Sequence, residues 1–256
     1  MSLRTRPLPG AVALIAAGLL LAGCAGGTDN AATATATGAE AKAAGAGTIR
    51  SAPRPQTIQA KEIPALGPKT RAQIAAATTQ AVVVTGDVSD SNQATAMLYE
   101  RDPVRGWQSV SDPWPAHNGL RGWTDDHRQG DRRSPIGVYG LTDAGGRLPD
   151  PGTKLPYDRG PAFTARGTGF EGEPLAGSFD YVVAINYNRK PGTTPLDWTR
   201  PLGAGKGGGI WIHVDHAGPT QGCVSLPKGR MKELLRWLDP AKRPVVVMGD
   251  VTALGR

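Results

Sequence analysis

The residue types best suited to chemistry crowd into positions 207–225. These read Gly207-Gly208-Gly209-Ile210-Trp211-Ile212-His213-Val214-Asp215-His216, then Ala217-Gly218-Pro219, then Thr220-Gln221-Gly222-Cys223-Val224-Ser225. With a strand's period of two, Ile210, Ile212 and Val214 share one face, and Trp211, His213 and Asp215 share the other. The apolar face buries, and the opposite face presents an imidazole. A break at Ala217-Gly218-Pro219 turns the chain back and returns Cys223 ten residues after His213, a span that lets thiol and imidazole meet. Free thiols ionise near a pKa of about 8.5 and are poor nucleophiles at neutral pH without help. A nearby imidazole accepts the thiol proton and later returns it to a leaving amine. Cys223 is therefore the candidate nucleophile and His213 its base. Gly222 allows a sharp turn before the thiol, and the backbone N–H groups of Gly222 and Cys223 are candidate oxyanion donors, each worth about 3–4 kcal/mol in such sites.

Other residues in this stretch have weaker claims. Trp211 reads equally as packing or substrate wall, and His216 as a turn residue or a second wall. Asp215 sits two positions from His213 on the same strand, roughly 6–7 Å away, so a backbone carbonyl is the better orienter of the imidazole. Trp211-x-His213-x-Asp215-His216 partly matches a metallo-hydrolase pattern, but no histidine follows His216, and no metal or other cofactor is expected. His117 and His127 fall in polar loops and read as solvated.

These groups need a scaffold, and the surrounding pattern is mainly β. Residues 81–85 form a β-branched run stopped by Gly86, and residues 95–100, 136–141, 181–187, 209–214 and 245–248 are further strands separated by Gly, Pro, Asn and Asp clusters. The Ala-rich stretch 71–80 predicts a short helix. A second helix begins at Pro227, places Met231, Leu234, Leu235 and Leu238 on one face, and ends at Asp239-Pro240.

The amino terminus has its own chemistry. Arg4 and Arg6 precede an apolar segment over 11–21, too short to span a hydrocarbon core that needs about 20 residues. It closes on Leu21-Ala22-Gly23-Cys24. This resembles the lipobox of bacterial lipoproteins, which implies cleavage before Cys24 and acylation of its sulfur. Residues 1–24 are thus expected to be a signal peptide, and the mature chain to be exported and lipid-anchored to the cell membrane, facing the cell wall. Residues 25–66 are rich in Ala, Thr, Gly and Pro and lack aromatics; they predict a disordered linker with a root-mean-square span of roughly 35 Å. The folded domain is expected over 67–256.

Four segments of this domain resemble, in order, segments of one family. The His213…Thr220-Gln221-Gly222-Cys223 segment resembles the active-site signature of the L,D-transpeptidase (YkuD) catalytic domain. Gly130-Asp131-Arg132-Arg133-Ser134-Pro135-Ile136-Gly137 is similar to a second family segment, and Leu155-Pro156-Tyr157 and Asn186-Tyr187-Asn188 resemble others. The resemblance implies a β-sandwich or barrel-like catalytic domain with one or two short helices. It implies peptidoglycan stem peptides as substrate: Cys223 would attack the diaminopimelate carbonyl of a donor tetrapeptide, expel D-alanine, and pass the acyl group to an amine or to water. It also implies acylation of Cys223 by a carbapenem. Trp211, His216, Thr220, Gln221, Ser225, Tyr187, Asn188 and Tyr157 become substrate-binding candidates. The chain departs from the pattern at Gln221, where many members have histidine, and at Ser225, where many have arginine. A rival expectation is a wall-binding lipoprotein that kept the fold without turnover.

Composition agrees and excludes alternatives. Two cysteines among 256 residues rule out a disulfide-stapled scaffold and a four-cysteine zinc site. The 29 basic and 22 acidic residues give a net charge of +7, yet no basic block or aromatic–basic run occurs, so nucleic acid is not an expected partner.

Overall fold

The computed structural model describes residues 61–256. The expected signal peptide, Cys24 and residues 25–60 of the expected linker lie outside the described residues. In chain order the elements are α1 (Pro68–Arg71), β1 (Gln80–Gly86), β2 (Gln93–Asp102), β3 (Gly106–Ser109), β4 (Trp114–His117), β5 (Trp123–Thr124) and β6 (Ser134–Pro135). There follow β7 (Gly137–Gly146), β8 (Tyr157–Arg159), β9 (Val182–Ile185), β10 (Trp211–Val214), β11 (Val224–Leu226), α2 (Lys228–Trp237), β12 (Val245–Asp250) and α3 (Val251–Leu254).

The valine run of β1 pairs in parallel with β12 on one side and antiparallel with β2 on the other. The β1–β2 pairing closes the ring β1-β12-β7-β9-β10-β11-β4-β2 into a barrel-like sheet, while β3 extends β2 and β8 extends β7. Closure removes exposed edges from the central strands. Both faces of β1 are covered, which explains why its sequence is continuously apolar instead of alternating. Val82 and Val84 join the main core with Ile212, Val214, Val224 and Leu226. Ala81 and Val83 pack outward with Ile63, Leu66, Trp107 and Leu254.

The second predicted helix is observed as α2. Met231, Leu234, Leu235 and Leu238 are fully buried against the main core, as their spacing requires. Two expectations fail. No helix spans 71–80; α1 begins earlier, at Pro68, and ends at Arg71. Ala75, Ala76 and Ala77 are exposed, so helix propensity has no apolar face to bury, and tertiary pairing draws Gln80 into β1 instead. Residues 61–66, expected in the linker, belong to the body: Lys61 N–H donates to Arg105 O at 2.8 Å, and Ile63 and Leu66 are buried. The linker expectation rested on missing aromatics, but these two aliphatic side chains suffice to dock the segment.

The connection that matters most joins β10 to β11. These strands are parallel, with Ile212 beside Val224 and Val214 beside Leu226. The chain therefore does not make a simple reversal, as the sequence suggested; residues 215–223 carry it back along the outside of the sheet. The return is held by a bridge between Gly119 and Thr220, with Thr220 N–H donating to Asn118 O at 2.9 Å.

Candidate active site

Parallel register fixes which side chains face together. Ile212 aligns with Val224, so Trp211 aligns with Cys223, and Trp211 N–H donates to Cys223 Sγ at 3.4 Å. Aligned neighbours point to the same side of a sheet. Cys223 therefore shares the outward face with Trp211 and His213, while Ile212, Val214 and Val224 point into the core. Cys223 and His213 both line one pocket of about 190 Å³. Ala165, Phe170, Leu175 and Phe179 supply its apolar wall.

His213 is 3% exposed, and its Nδ1 lies 2.9 Å from Val214 O. A carbonyl only accepts, so Nδ1 carries the proton and Nε2 keeps its lone pair. This is the backbone orienter that the strand spacing favoured. Burial lowers the His213 pKa to about 4, and burial raises the Cys223 thiol to about 11, partly offset by the Trp211 N–H. Both groups are accordingly neutral at neutral pH.

Asp215 serves a different partner. Its Oδ1 lies 2.8 Å from His117 Nδ1 and accepts from Ser225 Oγ at 2.7 Å, and its Oδ2 accepts from Ala217 N–H at 3.1 Å. Burial opposes ionisation, yet the bonds from His117 and Ser225 prevail and hold Asp215 at about 2. The bond to Asp215 conversely raises His117. His117 is thus a β4 residue in an ion pair, not a solvated loop group. His127, also expected in solvent, is 5% exposed, with Nδ1 3.0 Å from Asp131 Oδ1. Sequence reading missed both because their partners are distant in the chain or hidden by loop folding.

The turn that carries Cys223 is held by the Gly130–Gly137 motif. Ser134 Oγ donates to Gly222 O at 2.8 Å, with Cys223 O at 3.3 Å, and accepts from Gly119 N–H at 2.9 Å. Asp131 caps the motif's own loop by accepting from Arg128 N–H and Arg133 N–H. Gly222 has φ +144°, and a Cβ there would lie 2.8 Å from Arg133 O. Glycine is required by both conformation and space. One expected oxyanion donor is already engaged: Gly222 N–H donates to Thr220 Oγ1 at 3.1 Å. That leaves the Cys223 N–H of the two.

The candidate substrate residues divide. His216, Thr220 and Gln221 line the pocket. The His216 ring stacks on His213 with centroids 5.7 Å apart, and its Nδ1 lies 3.1 Å from Glu173 Oε1. His216 is thus a wall of the pocket, not merely a turn residue. Trp211 instead packs edge-on against Phe179, with centroids 5.0 Å apart. Ser225 is fully buried behind the site on Asp215. Tyr187 donates to Lys206 O at 2.9 Å, Asn188 ties down a loop through Gly203 O and Gly207 O, and Tyr157 donates to Leu148 O at 3.0 Å. These five support the scaffold outside the pocket. The 165–179 segment, absent from the sequence expectations, covers the site through Phe170, Phe179 and Glu173. Its glycines resemble any polar loop, and only the clustering of two phenylalanines in a chain with three hinted at burial. Among the described residues, no group of three or more His, Cys, Asp or Glu side chains is arranged to hold a metal.

A closed β sheet thus presents a half-buried cysteine and a buried histidine to one largely apolar pocket. Residues 83–247 match the L,D-transpeptidase catalytic domain, and the chain belongs to this YkuD family. The family assignment makes it an L,D-transpeptidase-type enzyme with peptidoglycan as the general substrate. No curated protein matches the chain.

Proposed function

We propose that the protein is a lipid-anchored cysteine L,D-transpeptidase that rearranges peptidoglycan stem peptides outside the cytoplasmic membrane. The observation that carries the reading is Cys223 and His213 entering one pocket from adjacent parallel strands, with His213 Nδ1 committed to Val214 O. His213 Nε2 takes the Cys223 proton as Sγ attacks the diaminopimelate carbonyl of a donor tetrapeptide. The carbonyl oxygen gathers charge beside the Cys223 N–H. When the tetrahedral species collapses, the C–N bond to D-alanine breaks, and the His213 proton goes to the leaving amine. A thioester remains on Cys223. An acceptor amine then gives its proton to His213, attacks the thioester, and regenerates the thiol as the new amide forms. Water in place of the amine gives L,D-carboxypeptidase hydrolysis.

The neutral thiol and neutral imidazole require proton transfer and attack to be coupled, because no preformed thiolate is available. Ser134 and Thr220 support the step by fixing the turn that carries Cys223. The Leu21–Cys24 motif supports anchoring, with acylation of the Cys24 sulfur. Incubating the protein with disaccharide-tetrapeptide and separating the products by mass spectrometry tests the reading. Cross-linked dimers with loss of D-alanine, abolished by Cys223→Ala, are expected. Absence of both dimers and tripeptide products, together with no adduct from a carbapenem, would overturn it.

A further inference from the structure

The glycine run 207–209 precedes the catalytic strand, and its structural role lies outside the pocket. Gly208 has φ +143°, and a Cβ there would lie 2.2 Å from Arg200 Nε; at Gly209, with φ +69°, a Cβ would lie 3.9 Å from the Trp198 ring. The two glycines let Trp198 and Arg200 lie directly on the backbone beside the nucleophile, since Gly209 O is 3.7 Å from Cys223 Sγ. The Arg200 guanidinium sits 4.7 Å from the Trp198 ring centre. It is anchored by Asp197 O and Thr199 O at 3.2 and 3.1 Å. Among the described residues no carboxylate lies within salt-bridge distance of it.

Trp198 is 76% exposed, more than any other large hydrophobic side chain among the described residues. The segment bearing it is firmly braced. Asn188 bonds to Gly203 O, Gly207 O and Leu202 N–H, and Arg189 is buried on Asp143 at 2.8 Å. An indole with one face against a fixed guanidinium, its edge on glycine backbone and its other face open is a preorganised stacking surface.

We propose that Trp198, held by Arg200, binds a saccharide ring of the peptidoglycan glycan strand and thereby delivers the attached stem peptide to Cys223. The apolar C–H face of a pyranose matches an exposed indole in shape and polarity. The choice of glycan rests on the peptidoglycan reading above. No side chain from 189–209 lines the pocket beside Cys223, so the platform is a separate subsite for the part of the substrate that does not react.

The test uses the full chain carrying Cys223→Ala, titrated with an N-acetylglucosamine–N-acetylmuramic acid tetrasaccharide that lacks stem peptides. The Trp198 indole N–H resonance, assigned with Trp198→Phe, is followed by NMR, and affinity is measured by calorimetry. A saturable shift of that resonance is expected, and Trp198→Ala is expected to weaken binding at least about tenfold with an unchanged thermal midpoint. Arg200→Ala is expected to weaken it less. An unmoved Trp198 resonance at millimolar sugar, or equal affinity in Trp198→Ala, would overturn the proposal. Sugar binding at Trp198 in a protein whose Cys223 form turns over no stem peptide would support this subsite while overturning the proposed function. Turnover without sugar binding would do the reverse.

Discussion

Desolvation favours the neutral forms of the half-buried Cys223 and the buried His213, and this bears on how the thiol reacts. With the thiol raised by burial to about 11, alkylation of Cys223 by iodoacetamide should keep rising with pH well beyond neutrality. A plateau below pH ~7 would indicate a stable thiolate–imidazolium pair and contradict the neutral ground state. With His213 lowered by burial to about 4, kcat/KM should stay level on the acid side and fall only as pH drops toward about 4. Asp215 and His117 contribute to stability with opposite signs. Asp215 is held below its unfolded value, so its contribution is present above about pH 3.9 and fades as pH falls toward about 2. His117 is raised, so its contribution is present below about pH 6.5 and fades as pH rises through its folded value. The stability difference between the native protein and Asp215→Asn, measured by urea unfolding, should therefore be largest between about pH 4 and 6.5.

At the scale of elements, the short β6 and the nucleophile turn act as one unit. Ser134→Ala leaves Gly222 O and Gly119 N–H without their buried partner. It should cost about 1–3 kcal/mol in unfolding free energy and lower kcat by loosening the Cys223 turn. Leu235→Ala in α2, fully buried, should cost about 2–5 kcal/mol, yet leave the acylation rate constant unchanged below the melting range. Glu173 clasps His216 from the covering segment, so Glu173→Ala should raise KM for the donor severalfold with a smaller effect on kcat. β1, β2, β7, β9, β10, β12 and α2 were legible because hydrophobic periodicity is local, whereas β3, β4, β5, β6, β8 and β11, each two to four residues long, are too short to show a period. One strand and its return loop carry His213 and Cys223, and both line one pocket. The parallel β10–β11 register was not legible, because a nine-residue return between Val214 and Val224 fits a hairpin equally well. The supporting roles of Tyr157, Tyr187, Asn188 and Ser225 were hidden for a related reason: their partners, 9 to 19 residues away, are brought close only by the folding of the intervening loops, and residue type alone does not separate a tyrosine that binds substrate from one that ties a loop.

The molecule as a whole combines a closed sheet with a site built on its outer face. The main core is built from aliphatic side chains together with Trp114, Trp123 and Tyr181, and includes no residue of the covering segment 165–179 or of Trp198–Arg200. None of the helices among the described residues is long and apolar enough to cross a membrane, and the proposed attachment rests on Cys24. Mass spectrometry of protein recovered from membranes should find the amino terminus at Cys24 with its sulfur diacylated; an unacylated Cys24 in that protein would contradict lipid anchoring. On the proposed function the two cysteines have separate fates, one carrying lipid and the other carrying the acyl intermediate. Rapid quenching with disaccharide-tetrapeptide, followed by intact-mass and peptide mapping, tests the second fate directly. The expected mass increment equals the tetrapeptide substrate minus D-alanine, located on Cys223 and absent in Cys223→Ala. Release of D-alanine with no covalent adduct at Cys223, or with undiminished rate in Cys223→Ala, would contradict it.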